Sequence, residues 1–145
     1  MFNNSGVIDL RELRYFTGLR SIASSQFQNI ASAKLIVIPE GVTSIGNAAF
    51  GNVSCPSRDF LDLPSTLNTV AYFGYYAPKV FICRAATPPP ITNQPYAWAN
   101  IGSFTVLYVP DTSVDAYKAD SKWSKMGSAG TSIVNKIKPL SEYQP

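Results

Sequence analysis

Residues Leu35 to Asn52 read LIVIPEGVTSIGNAAFGN, and the pattern of this stretch recurs along the chain. Ile36 and Ile38 are two residues apart, so in a strand both side chains point to the same face. Pro39 cannot donate a ladder hydrogen bond and ends that strand, and Gly41 allows the positive φ of a tight turn. Three apolar residues follow at spaced positions: Val42, Ile45 and Phe50. The stretch therefore predicts a strand, a turn and a second short extended segment with a shared apolar side.

The same spacing of apolar residues occurs on both sides of this stretch. The matching positions 25 residues downstream are Leu61, Leu63, Pro64, Leu67, Val70 and Tyr75. The matching positions 23 residues upstream are Leu13, Tyr15, Phe16, Leu19, Ile22 and Phe27. Such periods lie within the range of leucine-rich repeats, about 20–29 residues. One coil of this kind cannot bury its own apolar side, so stacked neighbours are expected to complete it.

Three later segments are also predicted as strands: Val80–Arg84, Val106–Val109 and Ile133–Lys138. A proline-rich loop, residues 85–103, separates the first two of them. Three consecutive prolines there exclude a helix or the interior of a sheet, so we expect an ordered surface loop pinned by Tyr96 and Trp98.

The segment that follows Pro110 is predicted to cap the stack. Val114 and Tyr117 share one face of a short helix, and Trp123 is expected to cover the open end of the stack. A solenoid needs such a segment to shield its last turn. Residues 1–145 are thus interpreted as a single domain, with repeats over about 8–110 and a C-terminal cap over about 111–140.

Three segments of the chain resemble the BspA-like leucine-rich-repeat family. The pattern I-x-I-P-x-x-V-T-S-I-G-x-x-A-F occupies residues 36–50. The segments CRAATPP, residues 83–89, and LYVPDTSVDAYKADSKW, residues 107–123, resemble the usual C-terminal ending of the family. ELRYFTGLRSI, residues 12–22, is similar to its first repeats, so the resemblance covers about residues 8–140.

This resemblance implies an α/β repeat fold that is mostly β. The expected architecture is a short right-handed leucine-rich-repeat solenoid with a parallel sheet, short helical turns and a C-terminal cap. The family is found mostly in secreted or cell-surface proteins of host-associated bacteria and is often linked to adhesion or protein binding. It has no common catalytic residues, so the resemblance implies a bacterial surface protein that is not an enzyme.

The composition argues against several kinds of chemistry. The chain has no histidine, which removes Ser-His-Asp and Cys-His catalysis and histidine metal ligands. Its two cysteines, Cys55 and Cys83, cannot form a four-thiolate zinc site. They either pair in a disulfide or lie buried as free thiols, and the second is favoured because isolated cysteine often behaves as a small core hydrophobe. No catalytic residue, cofactor or metal is therefore predicted.

The charge pattern and hydropathy limit the partners. The net charge is +3, and Lys118, Lys122 and Lys125 are interspersed with aspartates rather than forming a basic stripe, so no nucleic-acid binding is predicted. The longest purely aliphatic run has four residues, too short for membrane insertion. The first ten residues lack the features of a secretory signal. We therefore expect either an intracellular protein or additional sequence upstream of Met1.

Superposing the predicted strands sorts their residues into two faces. The inward set is Leu13, Ile36, Leu61, Phe81 and Leu107, with Tyr15, Ile38, Leu63, Cys83 and Val109. The outward set is Glu12, Leu35, Phe60, Val80 and Val106, with Arg14, Val37, Asp62, Ile82 and Tyr108. Seven of these ten outward residues are apolar, whereas the resembled family commonly has Ser or Thr there. A contiguous exposed apolar patch usually marks a contact surface.

The leading functional hypothesis is a non-catalytic protein-interaction or adhesion module. Its predicted binding residues are Leu35, Val37, Phe60, Ile82 and Tyr108 on the sheet face, with Trp98 in the loop. The expected partner is a host or bacterial protein or a second copy, and a glycan stacked on the loop aromatics is an option that no motif supports. Alternatively, the proline-rich loop or a neighbouring segment covers the face, since parallel sheets are often buried on both sides. A second functional class is a structural spacer or terminal domain of a larger surface or phage-tail-like assembly.

Overall fold

A computed structural model describes residues 10–29, 35–51, 60–72, 78–92, 105–127 and 130–145. Within them the chain forms eight short strands: β1 Ser21–Ile22, β2 Leu35–Val37, β3 Ser44–Ile45, β4 Phe60–Leu63, β5 Thr69–Val70, β6 Val80–Cys83, β7 Val106–Val109 and β8 Ile137–Pro139. A single α-helix in these ranges, α1, spans Val114–Ala119. The described 3₁₀ helices span Arg11–Tyr15, Asp111–Ser113, Trp123–Lys125, Val134–Lys136 and Leu140–Glu142.

The strands form two sheets in which every pairing is parallel. The larger sheet has the order β2-β4-β6-β7-β8, and the smaller has the order β1-β3-β5. The residues that meet in register are Ile36, Leu61, Phe81 and Leu107 in the larger sheet, and Ile22, Ile45 and Val70 in the smaller one. This is the register that the repeat spacing predicts. The predicted α/β class, mostly β and with a parallel sheet, is confirmed.

Apolar side chains of both sheets belong to one buried cluster. The inward residues of β2, β4, β6 and β7 are all buried, as predicted. The aromatic residues that follow the smaller sheet also align, because the rings of Phe27 and Phe50 stack with centroids 5.2 Å apart and planes inclined by 13°. Trp123 is 1% exposed and lies with its ring 6.0 Å from that of Phe81, so it extends the cluster toward the C-terminus.

The first repeat differs from the prediction. Residues Arg11–Tyr15 form a 3₁₀ helix rather than a strand. In a 3₁₀ helix residues three apart share a face, so Leu10 and Leu13 point into the core, whereas Tyr15 does not. Leu13 is 8% exposed, but Tyr15 is 64% exposed, and its assignment to the inward set was therefore wrong. Leu10 supplies the missing strand contact through a parallel bridge to Ile36.

The last predicted strand is shorter and begins later than expected. β8 begins at Ile137 rather than at Ile133 and includes Pro139. The N–H of Ile133 donates to the carbonyl oxygen of Ser124 at 2.7 Å, and the N–H of Lys136 donates back to the Ile133 carbonyl oxygen. These hydrogen bonds hold the residues before Ile137 in a turn, so only Ile137–Pro139 pairs with β7.

Two glycines meet the steric demands that the repeat places on its turns. Gly41 has φ of +97°, a left-handed conformation that residues with a Cβ rarely adopt. Gly46 lies against the backbone of the preceding repeat, where an added Cβ would be 2.8 Å from the carbonyl carbon of Ala23 and 2.9 Å from the Cα of Ser24. The two backbones therefore approach closely enough at Gly46 to exclude a methyl group.

Replacing Gly46 with alanine is expected to lower the free energy of unfolding by about 1–3 kcal/mol, because the backbone must shift to admit the methyl group. Urea denaturation followed by circular dichroism measures this change. Gly18→Ala is the matched control, since an added Cβ at Gly18 meets nothing within 4 Å. Equal stability of the two variants would contradict the close stacking of coils at Gly46.

Candidate binding surface

The predicted binding residues on the sheet face are less accessible than expected. Four of them are half-buried rather than exposed: Leu35, Val37, Phe60 and Tyr108. Ile82 is only 1% exposed, so its assignment as a contact residue was wrong. Trp98, which was predicted to pin the proline-rich loop, lies outside the described residues.

A C-terminal residue covers the middle of this face. The ring of Tyr143 lies 6.0 Å from that of Phe60 and 5.3 Å from that of Tyr108. Phe60 and Tyr108 belong to β4 and β7, and β6 runs between them, so the Tyr143 ring contacts the strands on both sides of β6. A neighbouring segment of the chain therefore covers the central part of the face, as one of the two sequence-based interpretations proposed.

Polar contacts fix the C-terminal segment that carries Tyr143. The Ser141 N–H donates to the Asp111 carboxylate at 3.0 Å, and hydrogen bonding by Ser141 lowers the pKa of that carboxyl. Lys138 lies 3.7 Å from Glu142 in an exposed ion pair. An exposed pair of this kind adds little stability. The segment also follows directly on β8, which pairs with β7, and its Tyr143 ring contacts Phe60 and Tyr108.

The outward residue Asp62 is neutralised within the sheet. The Arg84 guanidinium donates to both of its carboxylate oxygens, at 2.8 and 2.7 Å. Asp62 is 7% exposed, and burial raises the pKa of its carboxyl, while the hydrogen bonds from Arg84 oppose that increase. The same hydrogen bonds raise the pKa of Arg84. This bidentate pair interrupts the apolar face and forms one wall of a cleft.

The cleft has a volume of about 270 Å³ and lies beside β2, the first strand of the larger sheet. Nine of the described residues line the cleft. Four are charged, Arg14, Glu40, Asp62 and Arg84; four are apolar, Val37, Ile38, Pro39 and Pro64; and the ninth is Thr17. The Glu40 carboxylate accepts hydrogen bonds from the N–H and the hydroxyl of Ser65, at 3.0 and 2.9 Å. Both acidic groups of the cleft are therefore occupied by partners.

The most exposed aromatic residues among those described adjoin this cleft. Tyr15 is 64% exposed and Phe16 is 60% exposed. They lie between Arg14 and Thr17, which both line the cleft. The Arg14 guanidinium carbon lies 4.8 Å from the centroid of the Tyr15 ring and one of its amino groups donates to the Tyr15 hydroxyl at 2.9 Å. We call residues 14–17 the first-turn surface.

This surface was not predicted, because superposition of the repeats placed Tyr15 in a strand and Phe16 in the position of Pro39. The spacing of Leu10 and Leu13 is the signal that would have found it. Two apolar residues three apart fit one turn of a 3₁₀ helix, and such a turn directs Tyr15 away from the core.

Cys83 belongs to the core rather than to a surface site. Its thiol is buried and free, and Sγ lies 3.2 Å from the hydroxyl of Tyr117, which donates to the Ala85 carbonyl oxygen at 2.9 Å. Burial raises the pKa of the Cys83 thiol to about 11. A neutral thiol is neither a good nucleophile nor a metal ligand, so this residue has a packing role. Cys55 lies outside the described residues.

The part of the chain that the structure describes contains neither a cluster of metal ligands nor a membrane-spanning helix. No group of three or more His, Cys, Asp or Glu side chains there is placed to hold a metal ion. No helix among the same residues has the length and apolar character needed to cross a membrane. In comparisons with known proteins, no family model and no curated protein sequence matches the chain.

Proposed function

We propose that this protein is a short leucine-rich-repeat solenoid that acts as a non-catalytic protein-interaction or adhesion module. Its contact surface is the first-turn surface together with the adjoining half-buried residues Leu35 and Val37. The observation that carries the proposal is the exposure of two adjacent large aromatic side chains, Tyr15 and Phe16, on an otherwise well-packed repeat.

Hydrogen bonds between equivalent positions of successive coils support the proposed solenoid. The Thr43 hydroxyl donates to the carbonyl oxygen of Arg20, 23 residues earlier. The Gly41 N–H donates to the hydroxyl of Thr66, 25 residues later, and that hydroxyl donates to the Val42 carbonyl oxygen. Such bonds join each coil to its neighbours in sequence, which is the arrangement of a repeat protein.

Contacts at the C-terminal end support a cap over about residues 111–140. Tyr117 on α1 and Trp123 are buried, and their rings meet edge to face with centroids 5.1 Å apart. The Trp123 indole N–H donates to the carbonyl oxygen of Pro89 at 2.8 Å, which attaches the cap to the preceding coil.

The chemistry of the first-turn surface suits protein recognition. Tyrosine and phenylalanine combine a large apolar area with few rotatable bonds, and aromatic residues are enriched among interface hot spots. Arg14 adds a guanidinium beside Tyr15, and arginine is also enriched at interfaces. The partner is a protein, either of another kind or a second copy of this chain, and the family resemblance favours a role at a bacterial surface.

Replacing Tyr15 and Phe16 with serine together is expected to reduce partner capture at least about tenfold, as removal of a hot spot does. Wild type and variant are compared by affinity capture from bacterial and host extracts with quantitative mass spectrometry, and by sedimentation equilibrium for self-association. The stability of the chain is expected to change little, because both side chains are mostly exposed.

Val134→Ser is the matched control, since Val134 is another exposed large hydrophobic residue among those described and lies in the C-terminal part. This variant is expected to capture partners as wild type does. If the double serine variant retains every partner and the same association state, the first-turn surface is not the contact surface.

A further inference from the structure

We propose that the cleft beside the first-turn surface is a binding site for a carboxylate group of a peptide segment, with the Arg14 guanidinium as its recognition group. This inference rests on the proposed function, because it assigns the chemistry of the partner at that surface. The ligand is an extended segment that presents either a glutamate or aspartate side chain or its C-terminal carboxylate, next to an aliphatic residue.

The distribution of bonds among the charged groups points to Arg14. Glu40 is bonded to Ser65, and Asp62 is bonded to Arg84, so both acids already have partners. Arg14 donates one hydrogen bond to the neutral Tyr15 hydroxyl and forms no ion pair with a described residue. An exposed guanidinium carries five N–H donors in a fork that matches a carboxylate, so Arg14 is equipped for a bidentate anionic ligand.

The shape of the cleft indicates what accompanies the carboxylate. Val37, Ile38, Pro39 and Pro64 belong to its lining, which is mostly apolar, and its volume is about 270 Å³. Thr17 also lines the cleft. This space suits one or two residues of a peptide rather than a large cofactor, since small-molecule pockets are commonly larger, about 300–1,000 Å³.

The two acids in the lining distinguish a carboxylate from a phosphate. Glu40 and Asp62 face the same cleft as the two arginines, so the site carries no large positive excess. A phosphate with nearly two negative charges would meet stronger repulsion from these acids than a carboxylate with one. The balance of charges therefore favours a monoanion.

The test is a titration of the full ¹⁵N-labelled chain, followed by the shifts of backbone amide resonances. The probes are Ac-Leu-Glu-NH2, its neutral isostere Ac-Leu-Gln-NH2, Ac-Gly-Leu with a free C-terminal carboxylate, and inorganic phosphate. We expect saturable shifts at Thr17, Val37 and Glu40 with at least one carboxylate probe, and the tighter of the two identifies the source of the carboxylate. We expect the glutamine probe and phosphate to bind at least about tenfold more weakly.

Arg14→Gln is expected to weaken binding of the carboxylate probe about tenfold or more, and Arg14→Lys to restore part of the affinity, because lysine keeps the charge but loses the fork. Lys125→Gln makes the same change of net charge at an exposed residue outside the cleft and is expected to bind the probe as wild type does. Thermal unfolding of each variant confirms that the fold is retained.

Three results would overturn the assignment: neither carboxylate probe binding wild type more tightly than the glutamine probe, phosphate binding more tightly than both carboxylate probes, or unchanged affinity of the tighter carboxylate probe in Arg14→Gln. Partner capture by the Tyr15 and Phe16 double variant is a separate measurement. If that variant loses its partner while no carboxylate probe binds wild type, the carboxylate site fails and the interaction surface stands. If the probes bind in the cleft but the double variant keeps its partner, the proposed contact surface fails.

Discussion

Replacing Trp123 with alanine is expected to lower the free energy of unfolding by about 3–5 kcal/mol, as truncation of a fully buried aromatic side chain does. Trp123 is 1% exposed and packs against Phe81 and Tyr117, with ring centroids 6.0 and 5.1 Å away. Its indole N–H also donates to the carbonyl oxygen of Pro89. The change removes both the packing and the bond that joins the cap to the preceding coil. Urea denaturation of wild type and variant measures the loss.

Two companion variants separate these contributions. Trp123→Phe keeps most of the apolar area but leaves the Pro89 carbonyl oxygen without its donor, so we expect an intermediate loss, larger than about 1 kcal/mol. Phe16→Ala removes an exposed aromatic side chain and is expected to change stability by less than about 0.5 kcal/mol. A Trp123→Ala variant as stable as Phe16→Ala would show that the cap does not seal the core.

Replacing Phe50 with alanine is expected to cost about 3–5 kcal/mol of stability. Phe50 is 0% exposed and Phe27 is 1% exposed, and their rings stack at 5.2 Å. Because the two residues occupy equivalent positions of successive repeats, the stability lost on truncating one ring is expected to depend on whether the other ring is present. A double-mutant cycle with Phe27→Ala measures that coupling by chemical denaturation, with an expected interaction energy of about 0.5–1.5 kcal/mol.

Val134 offers a matched control for this cycle. Val134→Ala removes an apolar side chain that lies outside the aromatic column and is 37% exposed. Combined with Phe50→Ala, its effect is expected to add without coupling, as for distant sites. If the effects of Phe27→Ala and Phe50→Ala on the free energy of unfolding were also additive, the two stacked rings would not be energetically coupled.

The parallel register was predictable because it depends on periodic apolar residues. Ile36 and Leu61 are each followed two residues later by an aliphatic residue and then by proline, so superposing their repeats also predicted their pairing. The smaller sheet was predicted only as a second short extended segment of each repeat, and Ile45 pairs there with Val70, 25 residues later. Burial of one side chain per coil is a strong constraint, and a shift of one residue would expose the whole column.

The candidate surface was predictable only in part. Alternation along the strands assigned Leu35 and Phe60 to the outer side of the sheet, and both are half-buried there. It gave no information about Tyr143, which lies outside the repeat and reaches the sheet through a long-range contact. The exposure of Tyr15 depends on a 3₁₀ turn, and short turns are set by local hydrogen bonds that periodicity does not report.

The partial covering of the sheet changes which end of the molecule is available to a partner. The Tyr143 ring contacts Phe60 of β4 and Tyr108 of β7, on either side of the central strand of the larger sheet. The first coil retains the exposed aromatics Tyr15 and Phe16 and the cleft beside them. The proposed function therefore assigns recognition to residues 14–17 and the adjoining cleft.

Site-specific photo-crosslinking tests this placement most directly. A benzophenone amino acid is introduced in place of Phe16 in one protein and in place of Val134 in another, because both positions are exposed and apolar. We expect a discrete adduct from position 16, to a partner protein or to a second copy, that excess unlabelled wild type suppresses. Position 134 is expected to give none. Adducts of equal yield from both positions, or from position 134 alone, would contradict recognition at the first coil.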